Sequence, residues 1–177
     1  PVSSSRLIKD IADEYVGKVV WTKVGSVIVS HAMKKEKAKL GGEENGGVFY
    51  GPHQPVRDGA MTTALILDIM AKTGKRLSEL LTELPSYYIH KDNSECPNKL
   101  KEQVLKELIA QVKDLTIDTI DGVKIWFPDA SSILIRPSGT EPIYRFYAEG
   151  KTKEKAVQLV TEYKTKLQEI VNEYMSD

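Results

Sequence analysis

Apolar residues first recur at helical spacing near the amino terminus. Leu7, Ile8, Ile11, Ala12 and Tyr15 share one face within residues 4–16, with serines ahead of them able to cap. The β-rich run KVVWTKV at 18–24 predicts a short strand, which Gly25 breaks. Residues 26–39 begin β-branched and end heavily charged, predicting a helix with a solvated end. Residues 48–50 predict a second strand, and GPHQPVRDG after it predicts an irregular loop on its two prolines and two glycines. Asp58 then suits an N-cap for a helix over 59–73 that is apolar on most sides, the pattern of a buried helix, with Gly74 at its end. Leu77, Leu80, Leu81 and Leu84 predict a short further helix, stopped by Pro85.

The pattern changes at Leu84-Pro85-Ser86, which places a domain boundary there: 1–84, then 85–177. Residues 87–91 predict a strand. Pro97 opens a helix whose stripe is Leu100, Val104, Leu105, Leu108, Ile109 and Val112. Strands follow at 115–120, 123–127, 131–136 and 143–149, with Asp121-Gly122 as a hairpin signal between the first two. In the last helix Ala156, Val160, Tyr163, Leu167, Ile170 and Tyr174 recur every three or four residues. One continuous apolar face suits a lid on an antiparallel sheet. Neither an internal repeat nor a low-complexity tract is present.

Composition narrows the function classes. The 177 residues carry 25 basic and 25 acidic side chains, a balance unsuited to non-specific nucleic-acid binding. Cys96 is the lone cysteine, so no internal disulfide can form, which fits a reducing cytoplasm. A small filler or helix-start role suits Cys96 better than that of a nucleophile. No apolar run approaches the roughly 18 residues of a membrane span, and no signal peptide is visible. Structured sequence directly after Pro1 leads to the expectation of a piece of a longer chain.

The chemistry concentrates in two stretches. In RPSGTEPIYR (136–145), Arg136 and Arg145 surround a Ser-Gly-Thr turn bracketed by Pro137 and Pro142. Backbone N–H groups of a tight turn can converge on an anion. Ser138 and Thr140 add hydroxyls, and Gly139 permits close backbone approach. A guanidinium fork matches phosphate oxygens, and the prolines limit the freedom lost on binding. A surface hairpin with a structural arginine uses the same spacing. In GGEENGG (41–47), four glycines flank Glu43, Glu44 and Asn45. Such a loop suits a ligand close to the main chain, here the hydroxyls of a sugar accepted by a carboxylate; it also suits a plain turn. Extended backbone would point Glu43 and Glu44 to opposite sides, leaving one to face the ligand. No second carboxylate or histidine stands at a metal-ligand spacing.

RPSGTEPIYRFYAEG resembles the phosphate-binding loop in the fourth domain of the α-D-phosphohexomutases, in particular the phosphomannomutase/phosphoglucomutase branch. GGEENGG followed by RDG resembles the sugar-binding loop of the third domain, and TKVGS at 22–26 the strand-turn ahead of it. The resemblance implies an α/β chain: part of a three-layer αβα domain, then an α+β domain with an antiparallel sheet packed against two helices, similar to the TATA-box-binding protein. It implies phosphate binding by Arg136, Ser138, Gly139, Thr140 and Arg145, and sugar binding by Glu43 and Asn45. Ser26, His53 and Arg57 are accessory candidates. It also implies a phosphoserine, magnesium (Mg2+) and a hexose 1,6-bisphosphate intermediate, with serine and metal loops absent from this sequence. The expected partners are then the phosphosugar and the missing N-terminal domains, not nucleic acid or membrane. Three departures stand out: Asn45 replaces the usual serine, Gly47 replaces the usual histidine, and Ser26 stands where relatives often carry histidine or aspartate. A non-catalytic phosphosugar-binding or scaffolding module, and a structural protein using the last helix, are the competing readings.

Overall fold

The computed structural model describes residues 1–176. The chain divides into two compact units, Pro1–Ser86 and the residues from Tyr87 onward. In the first unit, α1 (Leu7–Glu14) and α2 (Ser26–Glu36) precede three short strands, β1 (Leu40–Gly42), β2 (Val48–Tyr50) and β3 (Gln54–Arg57). These form an antiparallel sheet in the order β1-β2-β3. Helices α3 (Gly59–Thr73) and α4 (Leu77–Thr82) follow. Val29 and Met33 of α2 bury against Phe49 of β2, with Ala38 packed beside them.

Several expectations change here. Residues 18–24 are not a strand. Thr22 accepts a backbone bond from the Val2 N–H (2.9 Å), but the run is laddered into neither sheet. β-Branched sequence becomes a strand only against a partner edge. Conversely, the expected loop 51–59 contains β3, which tolerates Pro55 because it is an edge strand with a bulge opposite Phe49 and Tyr50. Gly41 and Gly42 lie in β1 rather than in a loop. A Cβ on Gly41 would stand 2.4 Å from Met33 Sδ, so packing against α2 is what requires that glycine. Asp58 does cap α3, its Oδ1 accepting the Met61 N–H at 2.9 Å, and Gly74 ends it with φ +69°. Yet α3 is not a buried helix. None of its residues is buried, and Leu67 and Ile69 are exposed. The core of this unit is too small to cover the apolar sides of α3.

The second unit is built on β4 (Tyr88–Glu95), α5 (Lys101–Val112), β5 (Thr116–Asp118), β6 (Val123–Trp126), β7 (Ser132–Pro137), β8 (Ile143–Gly150) and α6 (Lys153–Ser176). Its antiparallel sheet has the order β4-β8-β7-β6-β5. Period-two alternation sends Val123, Ile125, Ile133, Ile135, Tyr144, Phe146 and Ala148 to one face. There they meet Val104, Leu108 and Val112 of α5 and Leu159, Tyr163, Leu167 and Ile170 of α6 in a single core. Tyr174 is the exception in the predicted stripe: it is exposed near the helix end. β4 is longer than its apolar signal, because it pairs with β8 along its whole length.

The alternate face carries Lys124, opposite Leu134 and only 3% exposed. Burial pushes its pKa down to about 8, against the raising effects of Glu149 and Asp118. Between pH 8 and 10.5 the folded state has released this proton while the unfolded chain still holds it. Stability therefore rises with pH across that window. Relative to Lys124→Met, the wild type is expected to gain about 3 kcal/mol from pH 7 to 10.5, measured as urea unfolding of this unit. A pH-independent difference would show that Lys124 stays charged.

Candidate phosphate and sugar sites

The loop after β7 is held from several directions. Ser138 is buried; its N–H donates to Ile143 O (2.9 Å) and its Oγ accepts the N–H groups of Glu141 (3.2 Å) and Thr140 (3.5 Å). The turn's amides therefore do not all converge on a ligand, as the sequence suggested. The Gly139 N–H is the backbone donor of the turn with no acceptor among the described residues, and a Cβ there would meet nothing within 4 Å. Beyond the turn, the Cys96 N–H donates to Pro142 O at 2.8 Å. The Cys96 thiol is buried, and that burial pushes its pKa up, as suits an inert filler.

Arg136 and Arg145 are direct cross-strand partners in the β7–β8 ladder, so both side chains leave the same face of the sheet. Like charges directly opposite one another destabilise a sheet. Each guanidinium has a carboxylate of its own: Arg145 bonds Glu141, and Arg136 Nε lies 3.1 Å from Asp121 Oδ2. The latter is an ion pair by distance, but the N–H is not aimed at the oxygen, and the buried Nε is left without a hydrogen-bond acceptor. The Asp121-Gly122 turn reaches Arg136 because Gly122 lies directly against it: a Cβ there would stand 2.3 Å from Ile135 O and 2.7 Å from Arg136 Cα.

In the first unit, a pocket of about 390 Å³ is lined by Asn45, Gly46, Gly47, Arg57, Gly59 and Thr62, among others. Glu43 beside it has a side chain 8% exposed, with Oε2 3.5 Å from Arg57 Nε and lacking a hydrogen bond. Asn45 Oδ1 accepts the Gly47 N–H at 3.3 Å, which leaves its amide NH2 group for a ligand. Arg57 also reaches Ser26 Oγ (3.5 Å). A Cβ on Gly47 would lie 2.4 Å from Arg57 Cδ: the arginine fills the space that a side chain at 47 would take. His53 pairs instead with Asp58 (3.4 Å) and does not line the pocket. Bonding to the Met61 N–H lowers the pKa of Asp58, keeping it an anion at the α3 cap.

Three contributors escaped the sequence reading. Glu141 stands four residues before Arg145, and Asp121 belongs to a turn already identified; both were legible as neighbours but not as partners. Lys101 is different. Its Nζ donates to Ser138 O (2.6 Å) and Glu141 O, across 37 and 40 residues of sequence. No local pattern announces that contact.

Comparison with known proteins identifies a family for the whole chain. Residues 1–88 match the family description "Phosphoglucomutase/phosphomannomutase, alpha/beta/alpha domain III". Residues 93–166 match "Phosphoglucomutase/phosphomannomutase, C-terminal domain". A phosphoglucomutase/phosphomannomutase of Thermococcus kodakarensis is 47% identical over 88% of this chain and 34% of its own length. A phosphoglucosamine/phosphogalactosamine mutase of Sulfurisphaera tokodaii is 43% identical over 92% of the chain and 36% of its own. The crystal structure of a phosphoglucomutase/phosphomannomutase family protein from Burkholderia thailandensis superposes with a TM-score of 0.79 at 25% identity, covering 94% of this chain and 36% of that one. The chain thus spans about a third of the length of the curated relatives it matches. With both family descriptions met in order along one chain, and the antiparallel sheet packed on its helices as in the solved relative, the chain belongs to the phosphoglucomutase/phosphomannomutase family.

Proposed function

We propose that this chain supplies the sugar and phosphate recognition of a phosphohexomutase. Residues 1–84 would be the C-terminal part of its sugar-binding domain, and residues 85–177 its phosphate-binding domain. Asp177 lies outside the described residues. The intact enzyme would interconvert hexose 1-phosphate and 6-phosphate through a phosphoserine and a bisphosphorylated sugar. Arg136, Arg145, Ser138, Thr140 and the Gly139 N–H would hold the phosphate that is not being transferred. Glu43 and Asn45 would hold sugar hydroxyls. A carboxylate suits that role because its two acceptor oxygens can serve either hydroxyl after the sugar has turned around. Arg57, in the space of the missing side chain at 47, would supply the donor that Gly47 cannot.

One observation carries the reading: two arginines stand in register on one sheet face. A dianion between them would relieve that repulsion, meeting the outer nitrogens of the two guanidinium groups. The exposed Arg145–Glu141 pair is weak enough to yield, since such pairs contribute about 0–1 kcal/mol. Magnesium would supply charge neutralisation during phosphoryl transfer. Among the described residues no group of three or more His, Cys, Asp or Glu could hold a metal.

The test is a titration of the chain with glucose 6-phosphate, followed by amide NMR. Arg136→Ala is expected to weaken binding about ten- to a hundredfold, the worth of a charge-assisted hydrogen bond at roughly 1.5–3 kcal/mol. Equal affinity in the variant would remove the clamp from consideration. Turnover by the isolated chain would contradict the placement of serine and metal elsewhere. Binding without turnover after the remaining domains are restored would favour the non-catalytic module.

A further inference from the structure

We infer that Lys101 is a positioning residue for the phosphate turn: its ammonium fixes and polarises the Ser138–Gly139 peptide, so that the Gly139 N–H is presented outward as a strengthened anion donor. This rests on the phosphate reading above.

The geometry has three parts. First, Lys101 Nζ bonds the carbonyls at both ends of the turn, Ser138 O at 2.6 Å and Glu141 O. One cation thereby staples residues 138 and 141 together. Second, the lysine's own backbone is anchored: its carbonyl accepts the hydroxyl of Tyr144, a fully buried residue of β8. The base of the staple is thus fixed to the strand that leaves the turn. Third, a trans peptide points its C=O and N–H in opposite directions. With the Ser138 carbonyl aimed at the ammonium, the Gly139 N–H of the same peptide points away from it. That N–H is the unused donor, and the space beside Gly139 is open.

The energetic consequence follows from hydrogen-bond cooperativity. A cation on the carbonyl draws electron density from the peptide and makes its N–H a better donor. Lys101 therefore adds positive character to the turn without touching the ligand. It also removes the ordering cost that a loose turn would incur on binding. The Thr140 and Glu141 amides, turned toward Ser138 Oγ, do not share this role.

The experiment titrates the full chain with glucose 6-phosphate and reads the amide signals of Gly139 and Thr140. The wild type is compared with Lys101→Met, Lys101→Arg and Arg136→Ala. Lys101→Met is expected to weaken binding about tenfold and to shift the ligand-free Gly139 amide proton upfield. Lys101→Arg is expected to recover most of both. The rescue and the free-state shift separate polarisation from a simple packing role, which would lower the melting temperature without moving them in concert. If Lys101→Met does not fold, Lys101→Gln, which keeps a donor but no charge, makes the same comparison. The inference is overturned if the uncharged variant binds like wild type while Arg136→Ala is impaired. If wild type does not bind, or Arg136→Ala binds equally well, the clamp reading itself fails and this one with it.

Discussion

Gly122→Ala is expected to destabilise the second unit by about 2–5 kcal/mol and to weaken the phosphate binding proposed above. Two costs add. Gly122 has φ +83°, where an L-residue costs roughly 1–2 kcal/mol. Its new Cβ would stand 2.3 Å from Ile135 O and 2.7 Å from Arg136 Cα, both backbone atoms of β7. Neither can swing aside as a side-chain tip would, so the β5–β6 turn must lift, at an overpacking cost of about 1–3 kcal/mol. Lifting it carries Asp121 away from Arg136, which would free a half-buried guanidinium to wander from the ligand position. Urea unfolding measures the first effect and the glucose 6-phosphate titration the second. A variant as stable as wild type would mean that the hairpin relaxes without cost, and the tight turn would lose its explanation.

In the isolated chain, hydrogen exchange is expected to divide sharply between the units. Central amides of β6, β7 and β8 should show protection of about 10⁴ or more, in line with the 5–15 kcal/mol of an ordinary domain. Amides of α1, α3 and α4 should exchange within about tenfold of unfolded rates. The second unit buries a continuous core from both helices and all the central strands. The first buries Val29, Met33 and Phe49 as its cluster, while Ile8, Tyr15, Leu67, Ile69, Leu77 and Leu81 stay exposed. Each fully buried apolar side chain stabilises by about 1.5–3 kcal/mol, which a three-residue cluster cannot raise to the ordering cost of more than eighty residues. If the chain is joined to the N-terminal domains proposed above, exchange in α3 should slow most. Equal protection in both units would contradict this reading of the small core.

Legibility in the sequence followed the reach of the forces involved. The helices α5 and α6 and the strands β6 to β8 were readable because one face of each is apolar at its own period, and the core enforces that period. The Asp121-Gly122 and Asp58 signals were readable because turn and cap chemistry is local. Residues 18–24 misled because strand propensity says nothing about whether a partner edge is present. Helix α3 misled because apolar composition shows a need for burial rather than its fulfilment. The glycines of 41–47 looked alike in sequence, yet Gly41 makes room for Met33 whereas Gly47 makes room for Arg57. At the phosphate turn the residue types were visible, but the division of labour among its amides and the staple from Lys101 depend on tertiary contacts.

The overlap between positions 47 and 57 constrains how this pocket can diversify. A histidine introduced at 47 would collide with the stem of Arg57, whereas a shortened residue at 57 collides with nothing and leaves a vacancy. A lineage exchanging the arginine arrangement for a histidine one must therefore trim or turn aside residue 57 to enlarge 47. Position 47 judged alone would look immutable, and its freedom depends on what stands at 57.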